Sequence, residues 1–163
     1  TADHGLAVGN HGLLGKQNMY DHSLRSPLII AGPDVPKGKR VEAPVYLQDV
    51  MATALDCAGG TVPDWVEFHS LRSFIEGTRR ESHYSAMYGA YMDLQRMIRS
   101  DDYKLIVYPK SGVVKLFHLA EDPRELHDLA SDPGQRSRIH DLYRELQDMM
   151  SAMGDTLQLP PFS

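Results

Sequence analysis

Seven apolar side chains near the end of the chain, Ile139, Leu142, Tyr143, Leu146, Met149, Met150 and Met153, recur at spacings of three and four. A helix over these residues gathers them onto one face, and that face has to be buried against another layer. The helix has a defined start, since Asp132-Pro133-Gly134-Gln135 puts a capping carboxylate before a proline at the first position and a glutamine at the third. Gly154 closes it. The layer for it to cover lies just upstream. Residues 83–88, 95–99, 103–108 and 114–118 read as four short strands separated by Gly, Asp and Pro-Lys-Ser-Gly turns. Alternation is clearest in Lys104-Leu105-Ile106-Val107-Tyr108 and Lys115-Leu116-Phe117-His118-Leu119, though strict in neither. The expectation is an α+β subdomain, a four-stranded antiparallel sheet packed against the terminal helix. A methionine-rich partner or metal surface is the competing reading of the stripe, and a core-facing role fits it better.

The first half has a different texture. Leu28-Ile29-Ile30-Ala31, bounded by Pro27 and Gly32-Pro33, suits a buried parallel strand, the last of an α/β layer. Residues 34–40 form a polar loop. Leu47, Val50, Met51, Ala54, Leu55 and Ala58 then recur at helical spacing until Gly59-Gly60. Residues 61–82 are irregular apart from a short helix over 70–76, with Trp65 and Phe68 expected to anchor the connector to the core. The chain thus divides into 1–60, the end of an α/β domain, 61–82, a connector, and 83–163, the sheet-and-helix subdomain; Pro160-Pro161 belongs to an extended tail.

At 163 residues the chain can bury a core in one domain or in two small layers. A net charge of -5 excludes a general nucleic-acid binder, and no apolar run is long enough to cross a bilayer. The single cysteine rules out an internal disulfide and a cysteine-rich metal site. Cys57, at the end of an amphipathic helix, reads as a small buried apolar residue.

Chemistry concentrates in residues 1–16, which hold Asp3, His4, His11, Lys16 and glycines at 5, 9, 12 and 15 without a helical or strand period. This reads as a loop whose glycines admit tight turns and close approach. Where the chain turns at Gly5, Asp3 and His4 can bend toward one cation. Lys16 supplies a compact positive charge suited to a tetrahedral oxyanion. Asp-His-Gly alone is more often than not a structural turn. Histidines 22, 69, 83, 118, 127 and 140 share no ligand spacing and read as surface or structural.

The longer run, Asp3-His4-Gly5, then His11-Gly12-Leu13-Leu14-Gly15-Lys16, Tyr20 and Ser23-Leu24-Arg25-Ser26-Pro27-Leu28-Ile29-Ile30-Ala31-Gly32-Pro33, resembles the second half of the sulfatase family, within the alkaline phosphatase superfamily. The resemblance continues through Met97-Ile98-Arg99-Ser100-Asp101-Asp102-Tyr103-Lys104-Leu105-Ile106 and Leu116-Phe117-His118-Leu119-Ala120-Glu121-Asp122-Pro123-Arg124-Glu125 to about residue 153. It implies a C-terminal portion of a sulfatase, a fragment in which Asp3 and His4 are metal ligands and Lys16 contacts the sulfate or the leaving-group oxygen. His11 takes a substrate or metal-supporting role, with a structural role equally open. The implied metal is Ca²⁺, with Mn²⁺ or Zn²⁺ as alternatives because His4 offers nitrogen.

The family nucleophile, a formylglycine made within Cys/Ser-x-Pro/Ala-x-Arg, is expected in a missing part. Cys57 is followed by Ala58, Gly59, Gly60 and Thr61, and Ser131-Asp132-Pro133-Gly134-Gln135 has glutamine where arginine belongs. The expected partner is a sulfated small molecule or carbohydrate, the isolated chain is expected to be inactive and to self-associate through an apolar edge, and family habit favours a secreted or periplasmic parent. Two alternatives stand beside this reading: a phosphonate monoester hydrolase or phosphodiesterase of the same superfamily, and a non-catalytic binding module.

Overall fold

In the computed structural model, which describes residues 1–161, the elements run in the order β1 (Ala7–Val8), a 3₁₀ turn (Asn10–Gly12), β2 (Leu14–Gly15), α1 (Asp21–Leu24), α2 (Asp49–Cys57), α3 (Arg72–Glu76), β3 (Ala86–Tyr91), β4 (Gln95–Ser100), β5 (Tyr103–Tyr108), β6 (Val113–His118), a second 3₁₀ turn (Pro133–Gln135) and α4 (Arg136–Ala152). They divide into two units, one of Thr1–Asp3 with Ser26–Ser85 and one of His4–Arg25 with Ala86–Ser163.

In the larger unit β3 to β6 form an antiparallel meander in sequence order. The register sets Tyr88 opposite Ile98, Ile98 opposite Leu105, and Leu105 opposite Leu116. These side chains share a face, and α4 buries Ile139, Leu142, Tyr143, Leu146 and Met150 against it. The helical stripe and its sheet are therefore paired as expected. Each such fully buried leucine or isoleucine contributes about 1.5–3 kcal/mol relative to exposure. Met153 is exposed, past the end of the helix. Asp132 caps as expected, its Oδ1 accepting from Gly134 N at 2.8 Å, although the first turn is 3₁₀ and the α-helix proper starts at Arg136.

The opposite sheet face is covered too. Met97, Ile106 and Phe117 project there and are buried with Met19, Tyr20 and Leu119. That second cover explains the imperfect alternation of β5, whose four inner residues are all buried. At Gly89 a Cβ would lie 2.9 Å from Met97 Cε and 3.1 Å from Met19 Sδ, so the missing side chain makes the slot in which Met19 docks.

β3 begins three residues later than the expected strand, because His83 and Tyr84 are engaged in the smaller unit. His83 stacks on His69 at 4.7 Å, and the Tyr84 hydroxyl donates to Asp49. Asp49 organises that unit. It is fully buried, and its carboxylate also accepts from Tyr46 N at 2.9 Å and His69 N at 3.0 Å. Thr53, one turn on, accepts from Leu71 N at 2.9 Å. The face that α2 buries is thus Asp49, Ala52 and Thr53, while the expected apolar stripe of Val50, Met51 and Leu55 faces outward. Cys57 is exposed with it.

Leu28–Ala31 forms no strand, and Ile29 is 85% exposed. A parallel strand needs neighbours on its ladder, and among the described residues its unit contains none. Trp65 does not anchor the connector either. It is 80% exposed, where the turn closed by Val66 N to Pro63 O turns the indole outward, and Phe68 packs edge-on to Tyr46 instead. Among the described residues no helix is long and apolar enough to cross a membrane.

Candidate functional site

The opening stretch, expected to be an irregular loop, is a small hairpin. β1 and β2 pair antiparallel, with Ala7 opposite Gly15 and Val8 opposite Leu14, and the 3₁₀ turn forms the tip. Pairing brings its two ends together, so His4 and Lys16, twelve residues apart, meet. Lys16 Nζ lies 2.5 Å from His4 Nε2. His4 Nδ1 lies 2.8 Å from the Gly5 carbonyl oxygen. A carbonyl only accepts, so Nδ1 carries the hydrogen and Nε2 presents a lone pair to the lysine ammonium.

Gly5 fastens the hairpin to the segment behind it. Its N–H donates to Ser23 O at 2.8 Å, and a Cβ at this position would sit 1.9 Å from the His22 carbonyl oxygen. Only glycine permits that approach.

His11, at φ 54° in the tip, stacks on Tyr20 with ring centroids 4.0 Å apart and planes 10° from parallel. His22 completes the cluster, 5.5 Å from His11 and 5.6 Å from Tyr20. Burial holds the His22 imidazole below its ordinary pKa, and repulsion from His11 and Lys104 adds to the shift. Burial likewise raises the Tyr20 phenol, and it pushes Tyr108, hydrogen-bonded to Tyr20, up to about 12. His11 is half-buried and Lys16 is exposed.

Asp3 is exposed and belongs to the smaller unit. Among the described residues no group of three or more histidines, cysteines, aspartates or glutamates could hold a metal ion. Asp3 and His4 offer one carboxylate and one imidazole lone pair. That is part of a coordination shell and far short of the six to eight oxygens, roughly, that calcium takes.

Sequence reasoning named the four polar residues of the opening stretch and missed the rings that lie against His11, Tyr20 and His22, and the buried network of Asp21, Lys104 and Glu125 next to them in the chain and the fold. Lys104 carried a readable signal. It opens the strongly apolar run Leu105-Ile106-Val107, on the sheet face that Ile106 shares, and it is 1% exposed.

The hairpin tip, β2, the meander and α4 fall within one recognised domain: the N-sulphoglucosamine sulphohydrolase C-terminal family matches residues 9–152. The chain belongs to this sulfatase family. Arylsulfatase K of Danio rerio is 32% identical over 162 residues, covering 93% of this chain and 31% of that protein. A solved protein in complex with its substrate D-glucosamine-2-N,6-O-disulfate superposes with a TM-score of 0.82 at 26% identity, over 94% of this chain and 34% of that one. The phosphonate monoester hydrolase of Agrobacterium radiobacter gives a TM-score of 0.75 at 26% identity, over 92% of this chain and 34% of that one. This sulfatase-family chain spans between 24% and 31% of the length of the curated relatives it matches.

Proposed function

We propose that this chain serves as the C-terminal portion of a sulfatase that hydrolyses sulfate esters, with Lys16 and His11 contacting the ester and Asp3 and His4 contributing ligands to a metal. The observation that carries the reading is the contact of Lys16 Nζ with His4 Nε2 at 2.5 Å, which sets a cation-binding lone pair beside an anion-binding ammonium. Membership of the family supports the chemistry, and the disulfated glucosamine bound by the solved relative supports a sulfated carbohydrate as substrate.

A bound Ca²⁺, or Mn²⁺ or Zn²⁺ given the nitrogen of His4, would supply charge neutralisation for the sulfate oxygens. The residues of this chain have their own tasks. The Lys16 ammonium, exposed at the hairpin base, can donate to an ester oxygen as charge develops on it. His11, kept in place by Tyr20, offers a ring nitrogen to the same anion. The formylglycine nucleophile belongs to residues outside this chain, so the chain alone releases no sulfate from 4-nitrophenyl sulfate.

The test is a titration of the full chain with inorganic sulfate, followed on the histidine ring resonances. Saturable shifts at His4 and His11 that vanish in Lys16→Ala are expected. Their absence, or their persistence without Lys16, overturns the reading. The likeness to the phosphonate monoester hydrolase favours one second reading, in which phenylphosphonate displaces sulfate from the same residues and binds more tightly. In the isolated chain, exposed Ile29, Met51 and Leu55 pair with a second copy, which sedimentation velocity reads as a concentration-dependent dimer.

A further inference from the structure

The Lys104 ammonium is 1% exposed and has three acceptors: the Met19 carbonyl oxygen at 3.2 Å, Glu125 Oε1 at 2.7 Å, and Asp21 Oδ1. The two carboxylates are also linked through the backbone, since Asp21 N donates to Glu125 Oε2 at 2.7 Å. All three N–H groups of the ammonium are therefore used, and Glu125 is 2% exposed. A salt bridge this deeply buried contributes little net stability against an apolar replacement of the same shape. What it does supply is geometry: it fixes one backbone carbonyl and one side chain on either side of residue 20.

Those two anchors flank the ring that positions His11. Met19 and Asp21 are the neighbours of Tyr20, and His22 follows directly. Tyr20 and His22 are the two rings against which the His11 imidazole lies. His11 sits at positive φ in the hairpin tip, a conformation uncommon for any residue with a side chain. From this geometry we infer that Lys104 is a positioning residue. By tying Met19 and Asp21 to the sheet and to Glu125, it holds the Tyr20–His22 platform on which His11 rests at the anion-binding hairpin. The inference deepens the sulfate-binding reading above and rests on it for the identity of the ligand.

The experiment uses the full chain and two readouts. Because Tyr20 lies 4.0 Å from His11 and nearly parallel to it, the His11 ring protons are displaced upfield. Tyr20→Leu, which removes the ring, calibrates that displacement. The double variant Lys104→Met/Glu125→Gln removes the ammonium without stranding its deepest carboxylate. It is expected to keep the wild-type methyl shifts of Leu146 and Leu105, to lose at least half of the His11 displacement, and to bind inorganic sulfate about tenfold more weakly.

A folded double variant with the wild-type His11 displacement overturns the inference, as does one with the displacement lost and sulfate affinity unchanged. If the double variant does not fold, Asp21→Asn, which keeps the Lys104–Glu125 pair, is read by the same criteria. If the wild-type chain binds no sulfate while the variant loses the displacement, Lys104 still positions His11, and it is the sulfate reading that fails.

Discussion

Gly5→Ala tests how the opening hairpin is attached. Gly5 does not take positive φ, so the cost of a side chain comes entirely from its surroundings. The new Cβ would lie 1.9 Å from the His22 carbonyl oxygen and 2.9 Å from its carbon, both backbone atoms that cannot swing aside. Relief requires the hairpin to lift away from residue 22, which breaks the Gly5 N to Ser23 O bond of 2.8 Å. The lost bond costs roughly 1 kcal/mol. Displacing a packed segment adds about 1–3 kcal/mol. The sum, about 2–4 kcal/mol, corresponds to a fall in Tm of roughly 5–15 °C for a chain of this size.

The comparison that isolates the mechanism is Gly12→Ala. Gly12 has φ +70°, and a Cβ there would meet nothing within 4 Å, so its cost is the left-handed conformation alone, about 1–2 kcal/mol. Thermal unfolding followed by circular dichroism, with amide exchange at Gly5, measures both. Gly5→Ala should be the more destabilised and should lose protection at residue 5. If it is as stable as Gly12→Ala, the hairpin is not fastened at residues 22 and 23, and the positions given to His4 and Lys16 fall with it.

Leu146→Ala, at a fully buried position of α4, should cost about 2–5 kcal/mol by denaturant titration. Trp65→Ala should change stability by less than about 0.5 kcal/mol, since the ring is 80% exposed, whereas Phe74→Ala in the same unit should cost about 3–5 kcal/mol. Stability should fall with acid in two stages. His22 has its pKa lowered by burial, so the unfolded chain takes up a proton first and stability is lost as pH drops below the ordinary value of 6.5; His22→Gln should flatten that stage. Asp155, paired with Arg96 at 2.5 Å, is held well below its ordinary 3.8, so its contribution is present above that value and is lost as pH falls through the depressed one; Asp155→Asn should remove it.

What the sequence made legible was set by local pattern. The α4 stripe, the Asp132 cap and three of the four strand positions depend on residues within a few places of one another, and they stand where the periodicity put them. Leu28–Ala31 and the outward face of α2 misled, because an apolar run reports only that burial is favourable. Whether a partner lies within the same chain is a separate matter. Tyr84, assigned to a strand by pattern, is held outside it by Asp49, 35 positions away.

The candidate site divides along the same line. Its chemically distinctive residues, Asp3, His4, His11 and Lys16, lie within sixteen positions and stand out by type. The buried network around Lys104 does not, because it is assembled over long separations: Lys104 reaches Met19 across 85 positions and Glu125 across 21. A lysine in a strand pattern is ordinarily placed toward water, since a buried ammonium is costly unless every N–H finds an acceptor. Here three acceptors are found, two of them beside the tyrosine that carries His11. A buried charge with all its donors satisfied and its partners on either side of the tyrosine stacked on His11 is better explained by placement than by stability, because an apolar side chain would fill the same space at no greater cost.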